Sequence, residues 1–173
     1  MLEIIAIVLL VVLDQAVKLL VRANIPLGGH VAFIPGFLDF TYLQNDGAAF
    51  SILEGARWFF VLLTVAFIVF AIWVLVKKKL LHPIGTWSWV LVVAGAAGNL
   101  IDRAAFGYVT DMIETLFMNF PVFNVADICV VVGGIVFCIY YAFLHDKLKA
   151  AKAEKPDAVP ETAAQDLPSE EEA

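Results

Sequence analysis

The chain has 173 residues, 62% of them hydrophobic and 16% charged, with a formal net charge of −6. Apolar content on that scale exceeds what the core of an ordinary soluble domain uses, which excludes a soluble globular protein and predicts an integral membrane one. The acidic balance and the lack of a basic surface exclude nucleic acid as a partner.

In chain order, the first apolar segment runs from Ile4 to Val21 and contains Asp14, Gln15 and Lys18. A cleaved secretory signal would begin with basic residues and offer a small-residue cleavage site. Here Glu3 stands early and no such site precedes Asn24, so the segment reads as a retained span. Asp14, Lys18 and Arg22 recur at i, i+4 and i+8, so Asp14 and Lys18 share a helical face and read first as a structural ion pair. The loop over residues 23–56 follows. Its stretch HVAFIPGFLDFTYLQNDGAAFS has aromatic and β-branched residues about a Pro35-Gly36 turn, which predicts a short extended platform on the membrane surface. Phe33, Phe37, Phe40 and Tyr42 are equally suited to anchoring that loop among lipid headgroups. Asn45 can position an amide or a carboxylate, and Gly47 permits close backbone approach.

The second span, Trp58 to Val76, has Thr64 as its only clear polar interruption and is long enough to cross a bilayer of about 30 Å. Lys77, Lys78 and Lys79 form an acid-free cluster after it. The third, Trp87 to Ile101, ends in GNLIDR, where Asn99 and Asp102 share a face and Arg103 adjoins. Bracing of a helix end and contact with substrate suit Asp102 and Arg103 equally. In the loop over residues 104–123, Gly107 can interrupt the helix, Tyr108 and Val109 suit an extended segment, and Asp111 follows. Asn124 then opens the last span as an N-cap, with Asp127 in the first turn, where the helix dipole favours an acid. The span itself, Ile128 to Leu144, carries no charge, and Lys147, Lys149 and Lys152 follow it. By the positive-inside rule the two lysine clusters put both termini in the cytoplasm and the two long loops outside, with Trp58, Trp87, Tyr108 and Tyr140 near the boundaries as an aromatic belt. From Ala153 onward seven acids face one lysine among three prolines. The chain is therefore expected to divide into a membrane domain over 1–152 and a disordered acidic cytoplasmic tail over 153–173. Cys129 and Cys138 lie nine positions apart on one helix, about 13 Å of rise, beyond disulfide reach. No internal repeat supports a transporter plan.

The inventory of chemistry is short. There is no HExxH, His30, His82 and His145 are scattered, and Ser51, Ser88 and Ser169 have no GxSxG context; a Ser51–Lys18 dyad is a weak alternative. Neither a metal nor an organic cofactor is implied. Carboxylates remain, and Asp111 and Asp127 arrive from neighbouring segments at the same outward level. Two close carboxylates cannot both ionise cheaply, so they share one proton and act as an acid and a base. The helix N-terminus favours Asp127 as the anion, which leaves Asp111 as the more frequent holder of the proton. A water deprotonated by the base can then attack a peptide carbonyl. An ion-coupled transporter would spread acids through the bilayer depth, whereas the inner halves of the four spans have none; a scaffold would leave both aspartates silent.

Five blocks appear in order between the spans: DQAVK at 14–18, NDGAAFS at 45–51, GNLIDR at 98–103, VTD at 109–111 and FNVAD at 123–127. Together they cover nearly everything before the tail, and the chain resembles the bacterial lipoprotein signal peptidases, the type II signal peptidases. The resemblance implies an all-α integral membrane protein of four transmembrane helices with a small extracytoplasmic β-cradle and a lid loop. It implies an intramembrane aspartic endopeptidase that removes the signal peptide from diacylglyceryl-modified prolipoproteins, on the N-terminal side of the lipidated cysteine. The expected setting is the cytoplasmic (inner) membrane, with the site near the outer face, where the acyl chains and the signal helix hold the scissile bond. The family's catalytic aspartates fall on Asp111 and Asp127. Its supporting residues fall on Asp14, Asn45, Gly47, Asn99, Asp102, Arg103, Asn124 and Ala126, which Lys18 joins through its pairing with Asp14. Prolipoprotein substrates and membrane lipid are the expected partners of a monomeric chain. Met112 stands where the family commonly has Phe, a change expected to spare the chemistry and alter packing of the signal helix.

Overall fold

The computed structural model describes residues 1–47, 55–77, 79–80 and 82–153. In chain order its elements are α1 (Leu2–Asn24), β1 (His30–Ile34), β2 (Leu38–Asn45), α2 (Arg57–Val76), α3 (Pro83–Phe106), β3 (Val109–Thr115) and α4 (Val125–Tyr140), continued by a π-helical turn (Tyr141–His145) and by α5 (Asp146–Ala153). Among the described residues four helices are long and apolar enough to cross a membrane, the last of them running from Val125 to Lys149. At 23 residues, α1 extends about 35 Å.

The spans outrun their apolar stretches because caps, and not hydropathy, end helices. In α3 the His82 ring accepts from the Ile84 N–H at 3.2 Å and Pro83 occupies the first turn, a position that spends no hydrogen bond. Its far end stops at Gly107, whose φ of 89° lies in the left-handed region. In α4 the start moves back from Ile128 to Val125, so Asp127 lies within the helix. α3 is the central helix and the most buried of the four, whereas α2 has only Ala71 and Val74 buried, as expected of a helix that faces lipid.

The loops on the far side of α1 and α3 form one antiparallel sheet in the order β1-β2-β3. Leu43 pairs with Asp111 and Asn45 with Val109, with an irregularity between Phe40 and Leu43. The predicted platform is therefore present. It is seated on α1 by a core of Val21, Ile25, Tyr42 and Met112, with Val17, Phe40 and Ile113 packed against it. Met112 is fully buried in that core, so its expected influence on the signal helix gives way to a packing role inside the fold. The four proposed headgroup anchors divide likewise. Phe33 and Phe37 are exposed, with Phe37 stacked on Phe117 at 4.5 Å, while Tyr42 is buried. Trp58 and Trp87 are exposed as a belt requires, but Tyr140 is fully buried against Gly85, where even a Cβ would lie 2.7 Å from its ring. The central part of the expected lid, residues 48–54, Lys78 and the acidic tail beyond 153 lie outside the described residues.

Candidate active site

Local hydrogen bonding explains how two remote aspartates come together. The Met112 and Ile113 N–H groups donate to the Phe123 carbonyl at 3.0 and 2.8 Å, and the Phe123 N–H returns one to Ile113 at 3.1 Å. The segment before α4 thus runs beside β3 and delivers Asn124 next to Asp111. Asn124 then caps α4 in a reciprocal box: its Oδ1 accepts from the Asp127 N–H at 2.9 Å, and its own N–H donates to Asp127 Oδ2 at 3.1 Å. The other end of the Asn124 carboxamide donates to Asp111 Oδ1 at 2.6 Å. One fully buried residue therefore holds both acids, Asp111 through its side chain and Asp127 through its backbone N–H.

The remaining carboxylate oxygens are held the same way. Asn45 Nδ2 donates to Asp111 Oδ2 at 2.9 Å, and Asn99 Nδ2 donates to Asp127 Oδ1 at 2.8 Å. Each of the four oxygens accepts a bond from one neutral donor. That fixes the geometry while leaving a lone pair on every oxygen for water or a proton. Burial pushes the Asp111 carboxyl up to about 6; the donors Asn45 and Asn124 and the Lys18 charge pull against this, and the Asp127 charge adds to it.

Both acids line a cavity of about 480 Å³ together with Asn45, Asn99 and Arg103. Its wall continues through Phe120 and Val122 of the preceding segment and through Ile128, Val131 and Val132, an apolar track along α4. Arg103 is anchored by a bond to the Gly47 carbonyl at 2.9 Å and lies over the Phe60 ring at 5.1 Å. This gives the cavity a cation beside its two acids.

Behind the cavity lies a buried ionic cluster. Lys18 is fully buried and its ammonium contacts Asp14 at 2.9 Å, Asp102 at 3.3 Å and Asn99 Oδ1 at 2.9 Å. Asp14 in turn accepts from the Ala126 N–H at 2.9 Å, in the first turn of α4. Asp102 accepts from the Thr110 N–H at 2.9 Å, beside Asp111 in β3. The cluster depends on Gly98, where a Cβ would sit 2.6 Å from Asp14 Oδ2. Every candidate residue named from the sequence is thus in one continuous assembly: Asn45, Asn99, Arg103, Asp111 and Asp127 at the cavity, and Asp14, Lys18, Gly47, Asp102, Asn124 and Ala126 holding them. Three members were not foreseen as such. Gln15 bonds the Gly98 carbonyl at 3.0 Å and Asp102 at 3.2 Å, and Arg22 bonds Thr110 Oγ1 at 2.9 Å. The available signals were the adjacency of Gln15 to Asp14 and of Thr110 to Asp111 in the chain, and the recurrence of Arg22 at i+8 from Asp14. In the weak Ser51–Lys18 alternative, Lys18 is engaged with Asp14, Asp102 and Asn99. Ser51 itself lies outside the described residues.

Comparison with known proteins adds an independent line. Residues 6–143 match the family described as Signal peptidase (SPase) II. A lipoprotein signal peptidase of Enterococcus faecalis is 51% identical over 150 residues, covering 85% of this chain and 89% of the relative. One from Lactococcus lactis is 43% identical over 150 residues, covering 85% and 96%. A solved bacterial membrane enzyme, determined by the in meso method at 2.3 Å resolution, superposes with a TM-score of 0.75 at 33% identity, covering 91% of this chain and 93% of that one. With the family matched across all four spans and the fold shared with a membrane enzyme, the chain belongs to the signal peptidase II family.

Proposed function

We propose that the protein is an aspartic endopeptidase that cleaves the signal peptide from diacylglyceryl-modified prolipoproteins, on the N-terminal side of the lipidated cysteine. The observation that carries the reading is the pair Asp111 and Asp127 in one cavity, every carboxylate oxygen held by a neutral donor. Asp127 takes a proton from a water lodged between the two acids, and the water oxygen bonds to the scissile carbonyl carbon. The proton on Asp111 passes to the carbonyl oxygen. Collapse of the tetrahedral species breaks the C–N bond: the proton gained by Asp127 goes to the departing amine, which is the new N-terminus at the cysteine, and a hydroxyl proton of the tetrahedral species returns to Asp111, restoring the dyad. The protein forms no covalent bond to substrate. Arg103 supplies positive charge beside the developing oxyanion, and the apolar track along α4 accommodates the signal helix or an acyl chain.

The lysines after α2 and α4 favour an orientation with both termini in the cytoplasm and the dyad near the outer face of the inner membrane. The chain would act there as a monomer whose partners are prolipoproteins and membrane lipid. The test is incubation of the purified protein with a diacylglyceryl prolipoprotein and with its unlipidated precursor. The signal peptide is released from the first and not the second; release from neither would sink the reading.

A further inference from the structure

Three carboxamides present their NH2 groups to the dyad, and each is kept from rotating by a donor on its oxygen. For Asn45 that donor is the Gly47 N–H at 3.0 Å, and for Asn124 it is the Asp127 N–H at 2.9 Å. Both are backbone groups that no side-chain replacement removes. For Asn99 the donor is the Lys18 ammonium at 2.9 Å, so this is the carboxamide at the dyad whose direction a side chain decides.

We propose that Lys18 is a positioning residue that acts on Asp127 through Asn99, by dictating which end of the carboxamide faces the acid. An ammonium has three donors and no acceptor, and the three protons of Lys18 meet three oxygens, on Asp14, Asp102 and Asn99. Only the oxygen of Asn99 can face it. The NH2 group is then turned to Asp127 Oδ1 at 2.8 Å. Rotating the amide would set NH2 against NH3⁺ and carbonyl oxygen against carboxylate, two repulsions in place of two bonds. Without Lys18 only the charge on Asp127 itself opposes that rotation, and protonation of Asp127 relieves it, so the turned amide becomes accessible and opposes the anionic form of Asp127 that the water-activating step requires. The charges that surround this relay are Asp14 on α1, Asp102 and Arg103 on α3 and Asp111 on β3. The bland alternative is a brace that merely joins α1 to α3.

The proposal rests on the peptidase reading and is tested by a double-mutant cycle on the full chain, using a diacylglyceryl prolipoprotein and its unlipidated form. Lys18→Met is expected to lower kcat about 10- to 100-fold, the range for residues that orient a primary group. KM is expected to stay within about twofold, and the acidic limb of the pH profile to move to higher pH. Asn99→Ala behaves alike, and adding Lys18→Met to it brings no further loss of kcat. Because Lys18→Met strands two buried acids, the charge-neutral Asp14→Asn/Lys18→Met pair is run beside it. Its kcat loss must likewise vanish in the Asn99→Ala background. Multiplicative losses in the cycle, or an unmoved acidic limb, overturn the proposal in favour of the brace. Wild-type protein that releases no signal peptide overturns the underlying reading instead.

Discussion

The two ends of the helix bundle are built by different rules. At the dyad end, α1, α3, α4 and β3 meet through side chains that would be costly if unpaired: Asp14, Lys18, Asp102, Asp111 and Asn124 are all buried, and each is held by hydrogen bonds or ion pairs. At the other end α2, α3 and α4 meet mainly through small and aromatic residues. Trp89 lies 4.9 Å from Phe137 and 5.9 Å from Phe67, Tyr140 fills the space above Gly85, and Ser88 bonds the Gly85 carbonyl of its own helix at 2.9 Å. Lipid tails are as apolar as leucine, so helices in a membrane gain little from hiding hydrocarbon and associate by shape or by hydrogen bonds. Shape tolerates small adjustments. A buried ionic cluster does not, because removing one partner leaves a charge without compensation. Precision is therefore concentrated where chemistry is proposed.

The largest test of that contrast is at the acids. Asp111→Asn and Asp127→Asn are each expected to lower kcat by at least about 10³-fold, within the range that general acid and base catalysis supplies, while the protein still inserts and purifies. Cleavage assays with a thermal melt beside them check it; a variant that keeps a tenth of its turnover would assign the chemistry elsewhere. Next is Asn124→Ala, which removes the α4 cap and one of the two donors to Asp111. Loss of the cap costs about 1 kcal/mol, and kcat is expected to fall about 10- to 100-fold, as for other orienting groups. A stability loss with unchanged kcat would reduce Asn124 to a cap.

Much of this arrangement was legible in the sequence and some was not. The four spans followed from hydropathy because lipid imposes a length. Asp127 in the first turn followed from Asn124, because the capping box is local chemistry over four residues. The pairing of Asp111 with Asp127 was geometrically open but not determined, since it depends on Phe123 lying beside Ile113, a register that no periodicity encodes. Lys18 read as a plain i, i+4 partner of Asp14. Its contacts with Asn99 and Asp102 need the α1–α3 approach at Gly98. Tyr140 misled for a related reason: an aromatic near a span end suits a headgroup belt, and only the glycine opposite on α3 reveals a socket for it.

A smaller effect concerns protons at the dyad end. An acid raised from 3.8 to about 6 in the folded protein binds more protons folded than unfolded between those values, so its contribution to stability declines as pH rises from about 4 to about 6 and stays lost above. The shift corresponds to a penalty of roughly 3 kcal/mol at neutral pH. Asp111→Asn removes this ionisation, so its thermal midpoint relative to wild type is expected to increase from pH 4 to pH 7. A difference independent of pH would mean that Asp111 titrates at the ordinary carboxylate value.

The smallest effect belongs to the opposite end, and it sharpens the comparison because it should leave chemistry alone. Gly85→Ala places a methyl group 2.7 Å from the Tyr140 ring, closer than van der Waals contact allows, so either the ring tilts or α3 and α4 separate slightly. Overpacking of this kind costs about 1–3 kcal/mol. None of the groups involved touches the dyad network: Gly85 lies in the first turn of α3 and Tyr140 at the end of α4, whereas Asn99 and Asp127 lie at the opposite ends of those helices. The melting temperature is expected to drop by several degrees with kcat unchanged per folded molecule. If kcat falls in proportion to stability, the two ends are mechanically coupled along α3, and the division into a tolerant half and an exacting half does not hold.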